Sequence, residues 1–134
     1  MDHFIESFII TSKKKYEVID ITAKINDVVR KSKIQEGTCH VFLPHTTAAI
    51  FLMETWDKNL GPDLLGLMDE LVPKGKWLHD KVDDNGEAHL KSALLGVSKT
   101  IPMHDGKIIL GQWRGVVLAE FDGPRERVVH VRVF

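Results

Sequence analysis

The chain has 134 residues, of which 43% are hydrophobic and 28% charged, and its formal net charge is −1. This length and composition predict one globular domain, spanning 1–134, with its own hydrophobic core. The near-zero charge argues against a nucleic-acid-binding surface, and no apolar run reaches the about 20 residues that a membrane-spanning helix needs. No signal peptide is recognisable, and the single cysteine, Cys39, cannot form a disulfide within the chain. We therefore expect a cytoplasmic protein.

The first half of the chain carries β-rich segments on either side of a helical pattern. Residues 3–11 and 16–22 predict two strands. A helical stripe follows, with apolar residues at Ile21, Ile25, Val28 and Val29. Ile21 fits both the second strand and this helix, so the boundary between them is ambiguous. The β-branched and aromatic stretch 38–54 predicts two strands, or one bent strand, interrupted at Pro44.

The second half begins with helices and ends with strands. Leucines recur at helical spacing over 60–71, a polar loop is predicted over 74–88, and "HLKSALLG" predicts a short helix over 89–96. Strands are expected at 99–103, 107–113, 115–122 and 125–134. Because strands and helices do not alternate, we predict an α+β fold, a mostly antiparallel β-sandwich or barrel with two or three helices packed outside. A doubly wound parallel sheet is not expected.

The stretch "LPHTTAAI" has polar residues where a buried strand would normally be apolar. Imidazole nitrogens bind metals or carry protons at neutral pH, so His45 is a candidate ligand or proton carrier. The alternative is a histidine that is hydrogen-bonded in a β-bend. Thr46 and Thr47 are either β-formers or ligand contacts. Glu54, at the end of the apolar run that follows, is either a catalytic acid or a solvated charge.

Two further histidines, His79 and His89, are ten residues apart in "HDKVDDNGEAH". Three separated histidines suffice for an open zinc-type site, and Asp80 offers a carboxylate beside His79. The spacing matches no short metal-binding motif. Solvated loop histidines are therefore the alternative interpretation.

The stretch "EFDGPRER" combines a turn with several charged residues. Asp122-Gly123-Pro124 supplies typical turn residues. Arg125 and Arg127 are expected on one face of the following strand, which suits phosphate recognition, although solvated arginines are the common alternative. Glu120 is expected to be either solvated at a strand end or buried and paired, because an unpaired buried carboxylate is costly.

Four segments of the sequence, "HVFLPHTTAAI", "HLKSALLG", "GKIILGQW" and "EFDGPRERVVHV", resemble the YjbQ-like family in their order and spacing. That family is described as having a secondary thiamine-phosphate synthase activity. The resemblance covers the chain from about Ile9 to its end. It implies a small α+β fold assembled as a homotrimer. The implied reaction joins a hydroxymethylpyrimidine diphosphate to a thiazole phosphate, which gives thiamine phosphate.

The resemblance also implies a set of functional positions. These are His45, His79 and His89, with Glu54, Trp113, Glu120 and the "DGPR" turn beside them. Trp113 is either a pocket wall or a core or interface aromatic. Two departures bear on a polar pocket. Met53 stands where the family usually has asparagine, and the segment 111–114 reads G-Q-W-R where the family usually has G-T-W-Q.

Together, these residues predict a metal-assisted transferase that acts on small phosphorylated molecules, with neither nucleic acid nor a membrane as a partner. The predicted ion is zinc, with magnesium as the alternative for a diphosphate substrate, and it would be bound by His45, His79 and His89. The predicted catalytic residues are His45, Glu54, Asp80 and Glu120, and the predicted substrate contacts are Thr46, Thr47, Trp113, Arg125 and Arg127. A metal-dependent hydrolase and a non-catalytic ligand-binding trimer are the alternatives. Both faces of the last strand carry apolar residues, which also predicts a homotrimer.

Overall fold

The computed structural model describes residues 3–134, and this part of the chain has eight strands and four helices. The predicted α+β class is confirmed. In chain order, the elements are β1 (Phe4–Thr11), β2 (Glu17–Asp20), α1 (Thr22–Ser32), β3 (Gly37–Phe42), β4 (Ala48–Glu54), α2 (Leu60–Leu71), α3 (Asp80–Asp83), α4 (Gly86–Leu95), β5 (Ser98–His104), β6 (Lys107–Ile108), β7 (Arg114–Glu120) and β8 (Glu126–Val133).

The strands form two sheets. The five-stranded sheet has the order β1-β8-β3-β5-β6, and the three-stranded sheet has the order β2-β7-β4. Every strand pair is antiparallel, as predicted. In β8, Val129, Val131 and Val133 are buried while the residues between them are not. This period of two places one face of the five-stranded sheet on the core.

Strand β7 lies in the middle of the molecule and is buried on both faces. Val116 and Leu118 pack in the core between the two sheets. Val117 and Phe121 pack with Leu64 of α2 and with α4 on the other face. The molecule therefore has three layers, with the three-stranded sheet between the five-stranded sheet and helices α2 and α4, while α1 packs on the core between the two sheets. Two covered faces account for the continuous apolar run of β7.

Helix α1 begins where the sequence pattern was ambiguous. Ile21 directly precedes the helix, is buried, and donates its backbone N–H to the Val116 carbonyl at 2.9 Å. Asp20 accepts the backbone N–H of Thr22 at 3.0 Å, which satisfies one of the free donors at the helix start. Strand pairing thus continues up to the first turn of α1.

Two segments differ from the prediction. The strand expected over 107–113 ends at Ile108, and Gly111 has a φ of +82°, a conformation that favours glycine and interrupts an extended strand. The polar segment 74–88 is not only a loop, because it contains α3 and the first turn of α4. None of the described helices is long and apolar enough to cross a membrane.

Candidate functional site

A buried ion pair joins the ends of β7 and β8. Arg127 Nε donates to Glu120 Oε1 at 2.9 Å, and its second guanidinium nitrogen donates to Oε2. Ser12 Oγ donates to Oε1 at 2.7 Å, and the Asp122 backbone N–H donates to Oε2 at 3.0 Å. Burial opposes ionisation, but these hydrogen bonds hold the pKa of Glu120 below its ordinary value. Both carboxylate oxygens are therefore occupied, and the geometry gives Glu120 a structural role.

The polar start of β4 is explained by the same pair. The Arg127 guanidinium donates to Thr47 Oγ1 at 2.8 Å and to the Thr47 carbonyl at 3.2 Å. Thr47 is buried, whereas Thr46 is exposed. His45 Nε2 accepts the backbone N–H of Val128 at 2.9 Å. His45 and Thr47 thus accept hydrogen bonds from β8, from the Val128 backbone and from the Arg127 side chain respectively.

The ring of His45 is held as a hydrogen-bond acceptor. Because Nε2 accepts, a neutral ring carries its proton on Nδ1. Burial, and after it the charge of Arg127, lower the pKa of His45 below the ordinary histidine value. Ligation of a metal through Nε2 would require the ring to leave Val128. The arrangement agrees with the alternative interpretation of a histidine hydrogen-bonded in a β-bend.

The structure separates the two arginines that were expected on one strand face. Arg127 is 3% exposed and occupied by Glu120 and Thr47. Arg125 lies in the turn before β8, is exposed, and donates to the Asp122 carboxylate at 2.9 Å. Burial opposes ionisation of Asp122, but hydrogen bonds from Asn85, at 2.8 Å, and from Arg125 lower its pKa. Arg125 is thereby tied to the start of α4.

His79 and His89 are brought together, as the metal prediction requires. Their ring centroids are 4.5 Å apart, with an angle of 70° between the ring planes. His79 Nε2 is buried without a hydrogen bond and lies 3.7 Å from an Asp83 carboxylate oxygen. Asp80 accepts the backbone N–H groups of Trp77, at 3.0 Å, and of Gly86, at 2.8 Å. These two contacts lower the pKa of Asp80 and give it a structural role between α3 and α4.

Glycine at position 86 is required by this close packing. A Cβ atom there would lie 2.7 Å from Asp80 Oδ1 and 2.8 Å from Trp77 Cβ. The absence of a side chain lets the segment of His79 fold back onto the start of α4. This is how two histidines ten residues apart come into contact.

A metal ion fits only part of the predicted ligand set within one chain. The imidazole pair of His79 and His89, with one buried ring nitrogen lacking a partner, suits a divalent ion. Within residues 3–134, only one group of three possible ligand residues has its ligand atoms within 4.8 Å of one another, and that group contains none of these histidines. His45 therefore does not complete a three-ligand site with His79 and His89. That exposed trio consists of Glu36, His104 and Asp105. Its members hydrogen-bond to one another, which accounts for their proximity.

Two predicted residues lie away from the histidine pair. Glu54 is exposed at the end of β4 and lines a cavity of about 380 Å³ between β2, β4 and α2. Trp113 is half-exposed, and its ring contacts that of Trp56 edge to face, with centroids 5.2 Å apart. The structure places neither beside His45. Contact of either residue with a substrate stays a prediction.

Sequence patterns missed a second buried polar cluster on α4. The Tyr16 hydroxyl donates to Glu87 Oε1 at 2.7 Å, and Lys91 Nζ donates to Asp69 at 2.6 Å. Glu87 and Lys91 are fully buried, and Glu87 Oε2 has no hydrogen-bond partner. Burial raises the pKa of Tyr16. The spacing of Glu87 and Lys91, four residues apart on a helix, was the available indication.

Comparison with known proteins assigns the family. The family model for UPF0047 protein YjbQ-like matches residues 6–134. The chain belongs to the YjbQ/UPF0047 family. A UPF0047 protein of Methanocaldococcus jannaschii is 40% identical over 92% of this chain and 89% of its own length. The UPF0047 protein YugU of Bacillus subtilis is 35% identical over 92% of this chain and 94% of its own.

Solved structures of the YjbQ/UPF0047 family have the same fold. A YbjQ-like protein of unknown function from Sulfolobus solfataricus superposes with a TM-score of 0.94, at 34% identity over 98% of this chain and 96% of that one. A YjbQ/UPF0047 family protein from Clostridium acetobutylicum gives a TM-score of 0.92, at 37% identity over 96% and 99% of the two chains. Family membership establishes the fold but not the reaction, which depends on the side chains of the site.

Proposed function

We propose that the protein is a metal-assisted transferase that acts on small phosphorylated molecules, with thiamine-phosphate synthase-like activity. The supporting observation is the link from Arg125 through Asp122 to Asn85, four residues before His89 on α4. This link holds an exposed cation near the helix that carries one histidine of the pair. Cation and imidazoles together suit a reaction in which a diphosphate group leaves.

In the proposed reaction, the thiazole nitrogen forms a bond to the methylene carbon of the pyrimidine as the bond from that carbon to the diphosphate oxygen breaks. Both bonding electrons leave with the diphosphate, so negative charge grows on the leaving group. Arg125 uses one edge of its guanidinium on Asp122. Its remaining N–H groups are available for phosphate oxygens, and a planar guanidinium suits that geometry.

The metal part of the proposal rests on His79 and His89. A divalent ion, expected to be zinc, would supply a second positive charge for the diphosphate. In one chain the imidazole pair leaves further positions for substrate or water. Binding by His45 would require its ring to rotate away from Val128, so we assign the ion to the pair. Variants His79→Ala and His89→Ala should each lose the ion, and His45→Ala should retain it, as measured by metal analysis of untagged protein.

A homotrimer is part of the proposal, and the outer face of the five-stranded sheet supports it. Large apolar side chains are exposed on neighbouring strands of this face, at Ile5 and Ile9 of β1, Phe42 of β3 and Phe134 after β8. Large exposed apolar side chains grouped on one sheet face, here with His130 and Arg132 among them, are characteristic of interaction surfaces. A monomer at micromolar concentration in light scattering would overturn this assignment.

The decisive experiment is thiamine-phosphate formation by the purified protein with both substrates and added divalent metal. Arg125→Gln should lower kcat/KM by about 10- to 150-fold, the loss of one charge-assisted contact. Lys24→Gln, which removes an exposed cation on α1, away from the turn of Arg125, serves as the control and should leave kcat/KM unchanged. An inactive wild type would sink the synthase proposal. Diphosphate release from one substrate and water would identify a hydrolase instead.

A further inference from the structure

A second cavity, of about 590 Å³, lies between α1 and the segment that joins β6 to β7. Its volume is within the usual range for small-molecule sites. Three elements supply one cation each: Arg30 from α1, Lys107 from β6 and Arg114 from the start of β7. No acidic residue is among its described lining residues. None of the lining residues belongs to the site proposed around Arg125 and the histidine pair.

Two of these cations have no carboxylate partner. Arg30 pairs with Asp27 on its own helix. Lys107 and Arg114 make no ion pair within the described residues 3–134. This holds even though Glu54 is the cross-strand neighbour of Arg114. An unpaired lysine and an unpaired arginine around one cavity repel each other, and a bound anion would relieve that repulsion.

The backbone holds these side chains in defined places. Lys107 directly follows the turn Asp105-Gly106, where both residues have positive φ values of 52° and 73°. Its position opposite His104 is fixed by strand pairing. On the other side, Thr22, Asn26 and Arg30 recur every four residues along α1 and form a polar stripe that faces the cavity.

The remaining wall is apolar. Ile108, Ile109 and Leu110 line the cavity, and Ile109 is half-exposed. A ligand that fits has a compact anionic group for the lysine and arginine and an apolar or ring portion for the isoleucine wall. The fork of a guanidinium and the point charge of an ammonium together suit phosphate oxygens.

We propose that this cavity, lined by Arg30, Lys107 and Arg114, is a second binding site for a small phosphorylated molecule, separate from the site around Arg125. Arg114 would bind two phosphate oxygens at once, Lys107 would neutralise the remaining charge, and Arg30 would contribute from the helix side. The site does not depend on the proposed transferase activity.

The test is a titration with inorganic diphosphate, followed by calorimetry and by amide NMR shifts in wild-type protein. The proposal expects shifts at Gly106 and Gly111, which both line the cavity. Lys107→Gln/Arg114→Gln should weaken that binding at least 10-fold. The matched control Lys13→Gln/Lys24→Gln removes the same charge elsewhere and should change it less than 2-fold. Thermal melts check that each variant is folded.

Three outcomes would overturn the proposal. Equal weakening in the two double variants would show a general effect of net charge. Shifts confined to the residues around Arg125, and abolished by Arg125→Gln, would assign the diphosphate to the other site. Absence of binding at millimolar diphosphate in low salt would show that the cavity does not bind phosphate groups. Retained cavity shifts in Arg125→Gln protein, together with their loss in Lys107→Gln/Arg114→Gln protein, would establish the second site.

Discussion

Two polar clusters lie on opposite faces of β7, and they differ in how well their hydrogen bonds are satisfied. In the cluster of Glu120 and Arg127, both carboxylate oxygens have two donors each. In the segment that spans α3 and α4, three buried side-chain atoms have no hydrogen bond: His79 Nε2, Asn85 Oδ1 and Glu87 Oε2. Among side chains of residues 3–134 that are not exposed, no other buried nitrogen or oxygen atom lacks a hydrogen bond.

This difference separates a structural network from a candidate binding segment. A saturated pair has little capacity for substrate, because any new contact must replace an existing one. A buried polar atom without a partner costs about 1–3 kcal/mol, so its retention calls for an explanation. The three atoms without hydrogen bonds belong to residues between 79 and 87, in the same segment that carries the histidine pair. The chemistry is therefore better sought at α3 and α4 than at Glu120.

The largest expected effect comes from breaking the saturated pair. Glu120→Gln would leave the Arg127 guanidinium buried beside a neutral amide. We expect a loss of about 3–5 kcal/mol in the free energy of unfolding, the usual cost of removing one partner of a buried ion pair. Urea denaturation measures it. The double variant Glu120→Gln/Arg127→Met should be more stable than the single variant, and a double variant that is less stable would contradict this reasoning.

The same pair should make stability depend on acid pH. Because the pKa of Glu120 is lowered in the folded state, its contribution is complete above the unfolded value of about 4.3. The contribution is lost as pH falls through the folded pKa. Melting temperatures of the wild type and Glu120→Gln, compared from neutral to acid pH, should therefore converge as pH falls. A gap that stays constant would show that the charge of Glu120 is not what stabilises the protein.

The corresponding substitution on the other face of β7, Glu87→Gln, should not lower the free energy of unfolding. Glu87 is as buried as Glu120, but one of its oxygens has no partner. Glu87→Gln keeps an oxygen that can accept from the Tyr16 hydroxyl and removes a buried charge. We expect no loss, or a gain of up to about 2 kcal/mol, in the free energy of unfolding. Urea denaturation in parallel with Glu120→Gln measures it, and a clear destabilisation would mean that Glu87 Oε2 is satisfied in the folded protein.

The fold was largely predictable because its core follows simple periodicities. The period of two in β8 and the helical stripe of Ile25, Val28 and Val29 identify buried faces without any tertiary information. The start of α4 was missed because its buried residues Asn85 and Glu87 are polar. A pattern based on hydrophobicity reads such residues as a loop.

The site was less predictable, because its contacts join distant parts of the chain. The sequence predicted that His45, His79 and His89 converge on one ion, and the structure brings only His79 and His89 into contact. The sequence could not indicate which arginine after the turn, Arg125 or Arg127, faces inward. Since β7 and β8 belong to different sheets, the turn between them carries the chain across the core. That crossing buries Arg127 against Glu120 and leaves Arg125 in solvent.

The smallest expected effect concerns His45, which lies at the edge of the saturated cluster. Burial lowers its pKa in the folded state, so the unfolded chain takes up a proton at a higher pH than the folded protein does. The contribution of His45 to stability is therefore complete above the unfolded value of about 6.5 and falls as pH drops from there towards the lowered folded pKa. An NMR titration of the ring should give a midpoint below the ordinary histidine value, and the Val128 amide shift should follow the same curve, because protonation removes its acceptor. A midpoint at or above about 6.5, with no change at Val128, would show that the ring does not hold this bond.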